Sequence, residues 1–468
     1  MFRRIYPPSR LGTFQEPKRY MGKYKIEKIK PLTGPNEDIL DINSDNQQEA
    51  LKNVVAPFWS VPYSEQLSIK DDYVSYVISQ YFSILKDNLS KPSRKREFKI
   101  PPKPKIKSIT PSPVQYQYRS RDTYMVRPGL DGDPKTVGHI VGRPSEQKYI
   151  CVPPVDILSP SRHIKVAEMF QHYIRSSQLP ACTNFSEGGN WTQLQVRSNN
   201  EGETMALIKI HPQQLTQAEI EEECQKLKEY FDAGPGSICQ LSSLYFQASP
   251  FSNASSKLAP YHLLSGNKYL MEKLSGREFA LSPASFFQCN RKTAEIMYEK
   301  IFETSNLSPS TSILDLGCGI GTISVLATPH VRGTVGVDIS AEAIQDAKLN
   351  ARLNGIFTAN FTAGSIERKL KSALEWLEGS SDIVAILNPG RCGVEVSAMK
   401  LLRDTPQIRR IIYVACQPDH EWVIRNVLAL IKPQCSSYKS APLKFKSVIP
   451  VDMFPQTTHC ELIMRFDR

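Results

Sequence analysis

No run of about 18 consecutive apolar residues occurs in this chain, so it has no candidate helix of bilayer-spanning length. Paired cysteines are missing too. The ten thiols at 151, 182, 224, 239, 289, 318, 392, 416, 435 and 460 include no C-x-x-C pair, the spacing that common zinc and iron–sulfur sites use. No metal centre is expected, and scattered single thiols fit a reducing, intracellular compartment. Acidic residues are scarce in two stretches. Residues 1–35 carry nine Lys/Arg against Glu16 and Glu27, and residues 91–121 carry ten against Glu97 alone.

Over the whole 468 residues, 58 Lys+Arg against 47 Asp+Glu give a net charge of +11. That excess favours a polyanionic partner, nucleic acid first, without separating RNA from DNA or a membrane surface. A content of 40% hydrophobic and 22% charged residues is that of a globular protein, and the length suggests about three units. The first, residues 1–50, is a basic leader, acid-poor like an organelle transit segment, although Pro7 and Pro8 also suit a basic tail with no fixed structure. Residues 51–104 combine a short helical unit with a Pro-rich basic linker; Val74, Val77, Ile78, Tyr81, Phe82 and Leu85 recur at helical spacing. The segment "YQYRSR" (116–121) reads as an RNA-facing strand in which tyrosines offer stacking platforms, or as part of a solvated hinge. Residues 105–275 read as an α+β module: Asp131-Gly132-Asp133-Pro134 and Asn199-Asn200 are hairpin turns, and Thr216 is a helix N-cap.

Residues 276–468 carry the chemistry. In "TSILDLGCGIGTISVLA" a short apolar strand ends at Asp315 and Leu316, Gly317, Gly319 and Gly321 make a tight turn, and a helix begins. The following strand ends at Asp338, about 20 residues on, where a carboxylate can bind ribose hydroxyls. A G-x-G-x-G turn preceded by Asp favours S-adenosylmethionine over a dinucleotide. Strands then alternate with helices through "DIVAILNPG" and "IIYVAC", the doubly wound α/β pattern in which ligands sit beyond the carboxyl ends of the strands. Gly317, Asp338, Asn388 and Cys416 all fall at such ends. Taken alone, a cysteine there is most often a small buried hydrophobe.

Five ordered segments, "SPASFFQCN", "ILDLGCGIGTI", "VGVD", "ILNPGRCG" with "YVACQPD", and "PVDMFPQTTHCE", together resemble the RNA (uracil-5-)-methyltransferase family, over about residues 105–468. The resemblance implies a Rossmann-like class I S-adenosylmethionine-dependent methyltransferase domain behind an α+β RNA-binding module. It implies Cys416 as the nucleophile that adds to uracil C6 and Glu461 as the base that removes the C5 proton, with Gln288, Gly317, Asp338 and Asn388 at the cofactor. Asn388 stands where the family usually has Asp in a DPPR-like motif, which argues against a general-base role there. "ACQP" and "FPQT" replace the commoner "SCNP" and "FPHT" without removing a reacting group. The implied substrate is the T-loop uridine of tRNA, with a small-subunit rRNA uridine as a further candidate for the family's mitochondrial branch. Mitochondrial location is expected on the same ground; no DNA or membrane partner is expected, and oligomeric state is open. Two rivals stand beside this reading: a non-catalytic RNA-binding protein that retains the fold, and a methyltransferase acting on another substrate.

Overall fold

The computed structural model describes residues 29–34, 42–89, 100–143, 148–183, 187–250, 259–391 and 393–468. Most of the basic leader, residues 90–99 of the linker and Cys392 lie outside them. Among the described residues two helices come first, α1 (Gln47–Val55) and α2 (Tyr63–Leu89). The apolar stripe read from the sequence is the buried face of α2: Val74, Val77, Ile78, Tyr81, Phe82 and Leu85 are all inaccessible or nearly so. They pack against Val448, Leu462, Met464 and Val427, so α2 is part of the main core. It is not the separate helical unit expected over residues 51–104.

A short strand, β1 (Lys105–Ile106), follows, and then seven strands with two helices: β2 (Arg121–Arg127), β3 (Thr136–Arg143), β4 (Lys148–Val152), α3 (Ser161–Ser176), β5 (Trp191–Ser198), β6 (Thr204–Ile210), α4 (Gln217–Asp232), β7 (Ser243–Ala248) and β8 (His262–Gly266). Among the described residues, β2–β8 form one sheet in the order β4-β3-β2-β5-β6-β7-β8, antiparallel except for the β6–β7 pair. Both expected hairpins occur, β2–β3 and β5–β6. Thr216 caps α4 through a reciprocal capping box with Glu219, which satisfies helix N–H groups that would otherwise be orphaned. α3 and α4 cover one face, where Phe170, Trp191, Leu194, Ile208, Leu227 and Phe246 make a separate core.

The remainder is β9 (Leu270–Leu274), β10 (Arg277–Leu281), α5 (Arg291–Ser305), β11 (Thr311–Leu316), α6 (Thr322–Ala327), β12 (Gly333–Asp338), α7 (Ala341–Leu353), β13 (Ala359–Ala363), α8 (Ile366–Trp376), β14 (Asp382–Leu387), α9 (Val396–Asp404), β15 (Ile408–Ala415), α10 (Glu421–Ile431), β16 (Lys444–Val451) and β17 (Glu461–Asp467). The second sheet runs β1-β16-β17-β15-β14-β11-β12-β13. Its strands β11–β15 are parallel, and β17 is antiparallel to both of its neighbours. Strands covered on both faces become continuous apolar runs, as "ILDL", "IVAIL" and "IIYVA" are. The strand order reverses between β11 and β14, which opens a crevice above their carboxyl ends.

Three expectations need correction. β1 pairs in parallel with β16, and Thr110 bridges Val451, so the upstream module does not start at 105; its sheet starts at β2. A boundary at 275/276 would cut the β9–β10 hairpin at its turn, and Leu270, Leu274, Phe279 and Leu281 share a core with Ile313 and Val325. The basic segment at 116–121 is not an RNA-facing strand. Tyr118 is buried with its hydroxyl on the Pro455 carbonyl, and Arg121 turns inward to Gln195 and the Ser285 carbonyl. Tyr116 alone of the pair stays exposed.

Candidate active site

The glycine-rich turn joins β11 to α6, and its three glycines all sit at positive φ: +77° at Gly317, +54° at Gly319 and +82° at Gly321. A side chain there would be strained. The Gly319 N–H donates to Asp338 Oδ2 at 2.9 Å, while Ser340 N–H donates to Asp338 Oδ1 at 2.8 Å. The turn and the end of β12 are thereby fixed to one another. At the end of β14, Asn388 N–H donates to the Leu316 carbonyl at 3.3 Å, and a Cβ on Gly317 would come within 3.4 Å of the Asn388 carbonyl oxygen. Gly317, Asp338 and Asn388 therefore meet around one turn, as the strand ends implied.

Below them lies Asp315, fully buried. Its Oδ2 accepts from Ser324 N–H at 3.1 Å and Oγ at 2.8 Å, and its Oδ1 has no partner. Burial first, and the charge of Asp338 last, raise this carboxyl to about 7, against the two Ser324 bonds. An orphaned buried oxygen carries a desolvation cost that a ligand's donor would remove.

Gln288 lies on the loop between β10 and α5, buried, with no hydrogen bond from its side chain to a described residue. The loop is held from the upstream module. Arg121 and Arg197 both donate to the Ser285 carbonyl, Arg197 also reaches the Ser282 carbonyl at 3.3 Å, and Gln195 reaches the Pro283 carbonyl at 3.3 Å. Ser282 and Ser285 hydroxyls in turn contact Asp346 of α7 at 2.7 and 2.9 Å. Two guanidiniums on main-chain oxygens make a rigid clamp, since the planar fork loses little freedom when it binds. Sequence reasoning missed this clamp, because Arg121 falls in the basic segment read as RNA-facing and Arg197 belongs to no recognisable motif.

The thiol and the carboxylate lie at the adjoining ends of neighbouring strands. Ala415 of β15 is the register partner of Leu462 in β17; Cys416 follows Ala415, just past the end of β15, and Glu461 precedes Leu462 as the first residue of β17. Cys416 is half-buried and, with Tyr73, Asp419, His459, Cys460 and others, lines a cavity of about 60 Å³. Glu461 is 4% exposed and has no hydrogen-bond or ion-pair partner among the described residues. Burial alone lifts its carboxyl from 4.5 to about 7, which leaves it part ionised near neutrality, where a general base works best. Cys460 is different: burial pushes its thiol up to about 12, so it is inert packing, and Cys289 and Cys318 are likewise raised by burial. No group of His, Cys, Asp and Glu able to hold a metal occurs among the described residues.

A second polar constellation lies in the upstream module. His163 Nδ1 meets Asp122 Oδ2 at 2.7 Å and its Nε2 meets Ser198 Oγ at 2.9 Å. All three are completely or almost completely buried, so no substrate reaches the serine, and the group ties α3 to the sheet of the upstream module.

Residues 307–448 match a family model described as a methyltransferase domain. The chain is 36% identical over 426 residues to tRNA (uracil-5-)-methyltransferase homolog B of Danio rerio, covering 90% of this chain and 87% of that protein. It is 35% identical to homolog B of Homo sapiens, covering 90% and 84%, and 30% identical to homolog A of Mus musculus, covering 91% and 70%. Among solved structures, it is similar to the Pyrococcus abyssi tRNA (uracil-54, C5)-methyltransferase in complex with S-adenosyl-L-homocysteine, with a TM-score of 0.58, 20% identity, and coverage of 88% of this chain and 86% of that one. That likeness confirms the class I methyltransferase fold.

Proposed function

The chain belongs to the tRNA (uracil-5-)-methyltransferase family, and from that premise we propose that it methylates C5 of a uridine in the T loop of tRNA through a covalent Cys416 adduct. The observation that carries the reading is the placement of a half-buried thiol just past the end of β15 and a buried carboxylate, without a partner among the described residues, at the adjoining start of β17. The crevice fits S-adenosylmethionine: Gly317 and Asn388 line the turn, Asp338 closes it, Asp315 Oδ1 is a buried polar atom without a partner, and Gln288 is a buried amide on the loop before α5. When bound, that cofactor supplies an electrophilic methyl carbon.

The protein's own residues do the rest. C5 of uracil is a weak nucleophile until C6 is attacked. The Cys416 thiolate adds to C6, and the C5=C6 electron pair moves toward C5 and the O4 enolate. Once C5 carries the methyl group, the Glu461 carboxylate takes the remaining C5 proton. The pair re-forms C5=C6 and the Cys416 thiolate leaves. Asn388, uncharged, holds rather than moves protons. Reaching C6 requires the base to be unstacked from its loop, and the net charge of +11 supports a grip on the phosphates of the folded arm.

A small-subunit rRNA uridine is a second candidate substrate, and the basic, acid-poor start of the chain supports a mitochondrial address. A reporter fused to residues 1–40 tests the latter; diffuse cytosolic signal contradicts it. For the activity, the purified protein is incubated with S-adenosylmethionine and separate T-arm and rRNA-hairpin substrates, and 5-methyluridine is quantified by mass spectrometry. Product in the T arm is expected. Bound RNA without product would favour a non-catalytic RNA-binding protein, and normal turnover by Cys416→Ala would favour a different methyl-transfer chemistry.

A further inference from the structure

The helix α2 reaches both loops that flank the reacting pair. Along it, Tyr63, Gln66, Lys70 and Tyr81 fall on one face, at separations of three, four and eleven residues, close to whole turns. Three of them grip the loop between β16 and β17, which delivers Glu461. The Tyr63 hydroxyl donates to Asp452 Oδ2 at 2.9 Å, and Lys70 Nζ donates to Asp452 Oδ1 at 2.6 Å and to the Phe454 carbonyl at 3.1 Å. Gln66 Nε2 donates to Gln456 Oε1 at 2.9 Å, and Gln66 Oε1 accepts the Gln456 N–H at 2.9 Å. Gln456 needs such a hold, because it sits at φ +67°, where a non-glycine residue is strained.

The fourth residue grips the other loop. The Tyr81 hydroxyl donates to the Pro418 carbonyl at 2.5 Å, two residues after Cys416. Gln66, Lys70, Tyr81 and Asp452 are all completely buried. Polar groups taken out of water on an otherwise apolar face are costly unless each is paired, and here all four α2 residues reach the two catalytic loops, while Gln66 Nε2 also donates to the Phe58 and Val61 carbonyls and the Tyr63 hydroxyl accepts the Ser112 N–H.

We propose that α2 is a positioning helix for the reaction: Tyr81 sets the nucleophile loop, and Tyr63, Gln66 and Lys70 set the base loop, so that one rigid element fixes Cys416 against Glu461. The inference rests on the proposed reaction and adds a division of labour to it. Addition to C6 depends on the Tyr81 contact, and proton removal from C5 depends on the Asp452–Gln456 contacts.

The test uses Tyr81→Phe and Tyr63→Phe in the full chain, each deleting one hydroxyl without opening a cavity. With a T-arm RNA whose loop uridine is 5-fluorouridine, Tyr81→Phe should form the denaturation-resistant adduct about tenfold more slowly than wild type, the loss of one buried hydrogen bond, while Tyr63→Phe forms it at the wild-type rate. With natural T-arm RNA the order reverses, and Tyr63→Phe accumulates unresolved adduct. S-adenosylhomocysteine affinity by calorimetry should stay unchanged in both. The inference is overturned if wild type forms the adduct and both variants match it within twofold at both steps, or if both are slowed equally at every step. A wild type that forms no adduct overturns the reaction itself, and the inference with it.

Discussion

Replacing Glu461 by Gln should stabilise the protein at pH 8 and leave its stability almost unchanged at pH 5. Burial raises the carboxyl from 4.5 to about 7, with no partner charge contributing. The sign follows from which state binds the proton. Below the unfolded value the group is protonated in both states and contributes no pH dependence. Between the two values the unfolded chain ionises and the folded one does not, so folding stability falls by about 1.4 kcal/mol per pH unit. Above the folded value the loss is complete, at about 3 kcal/mol. A glutamine has no such term and nearly the same volume. In urea titrations the stability advantage of Glu461→Gln should therefore grow by about 2–3 kcal/mol between pH 5 and pH 8. The same variant should trap RNA: it can add to C6 but cannot take the C5 proton, so adduct accumulates on a natural uridine. A stability difference that does not change with pH would refute the reasoning, because it would mean that the carboxyl is solvated or paired in the folded protein.

Four other perturbations separate chemistry from architecture. Cys416→Ala should lower turnover by about a thousandfold or more, with a melting temperature close to wild type because the thiol is only half-buried; calorimetry and a product assay check both. Gly321→Ala places a Cβ 3.0 Å from the Phe361 ring and 3.1 Å from Ala347 at φ +82°, which should cost about 1–2 kcal/mol and weaken S-adenosylhomocysteine binding in titration calorimetry. Lys70→Met leaves Asp452 buried and uncompensated and should cost about 3–5 kcal/mol by urea unfolding, whereas Lys70→Met with Asp452→Leu should recover much of it. Thr216→Ala, at the exposed capping box of α4, should cost about 1 kcal/mol with unchanged methyl transfer.

The parts of this protein that were readable in advance are those where one local rule suffices. A strand buried on both faces is an unbroken apolar run, so β11, β14 and β15 could be seen in the residues themselves. A glycine triplet before a helix can only be a tight turn, and Thr216 with Glu219 three residues later is a capping box. Gly317, Asp338 and Asn388 could be grouped because parallel strands deliver their ends to one side. The failures share a different cause, which is long-range pairing. Lys105 and Ile106 directly follow the proline-rich, basic linker and read as the start of the upstream module, and only their partners Ser447 and Val448 make them an edge strand of the second sheet. Tyr118 and Arg121 look like a nucleic-acid surface until Pro455, Gln195 and Ser285, far along the chain, are seen to occupy them. Lys70 did leave a trace: it stands on the apolar stripe of α2, one turn before Val74, and a charge in that position needs a buried partner. The partner, Asp452, is 382 residues away, beyond any local pattern.

Trapping reports directly on whether Cys416 is the nucleophile. The protein and S-adenosylmethionine are incubated with a T-arm RNA carrying 5-fluorouridine in the loop, denatured, digested and mapped by mass spectrometry. Fluorine at C5 leaves no proton for Glu461 to remove, so the adduct persists. The expected product is a peptide containing Cys416 bonded to a methylated 5-fluorouridine. RNA that binds but leaves every cysteine unmodified, or an adduct mapped to a cysteine other than Cys416, would contradict it.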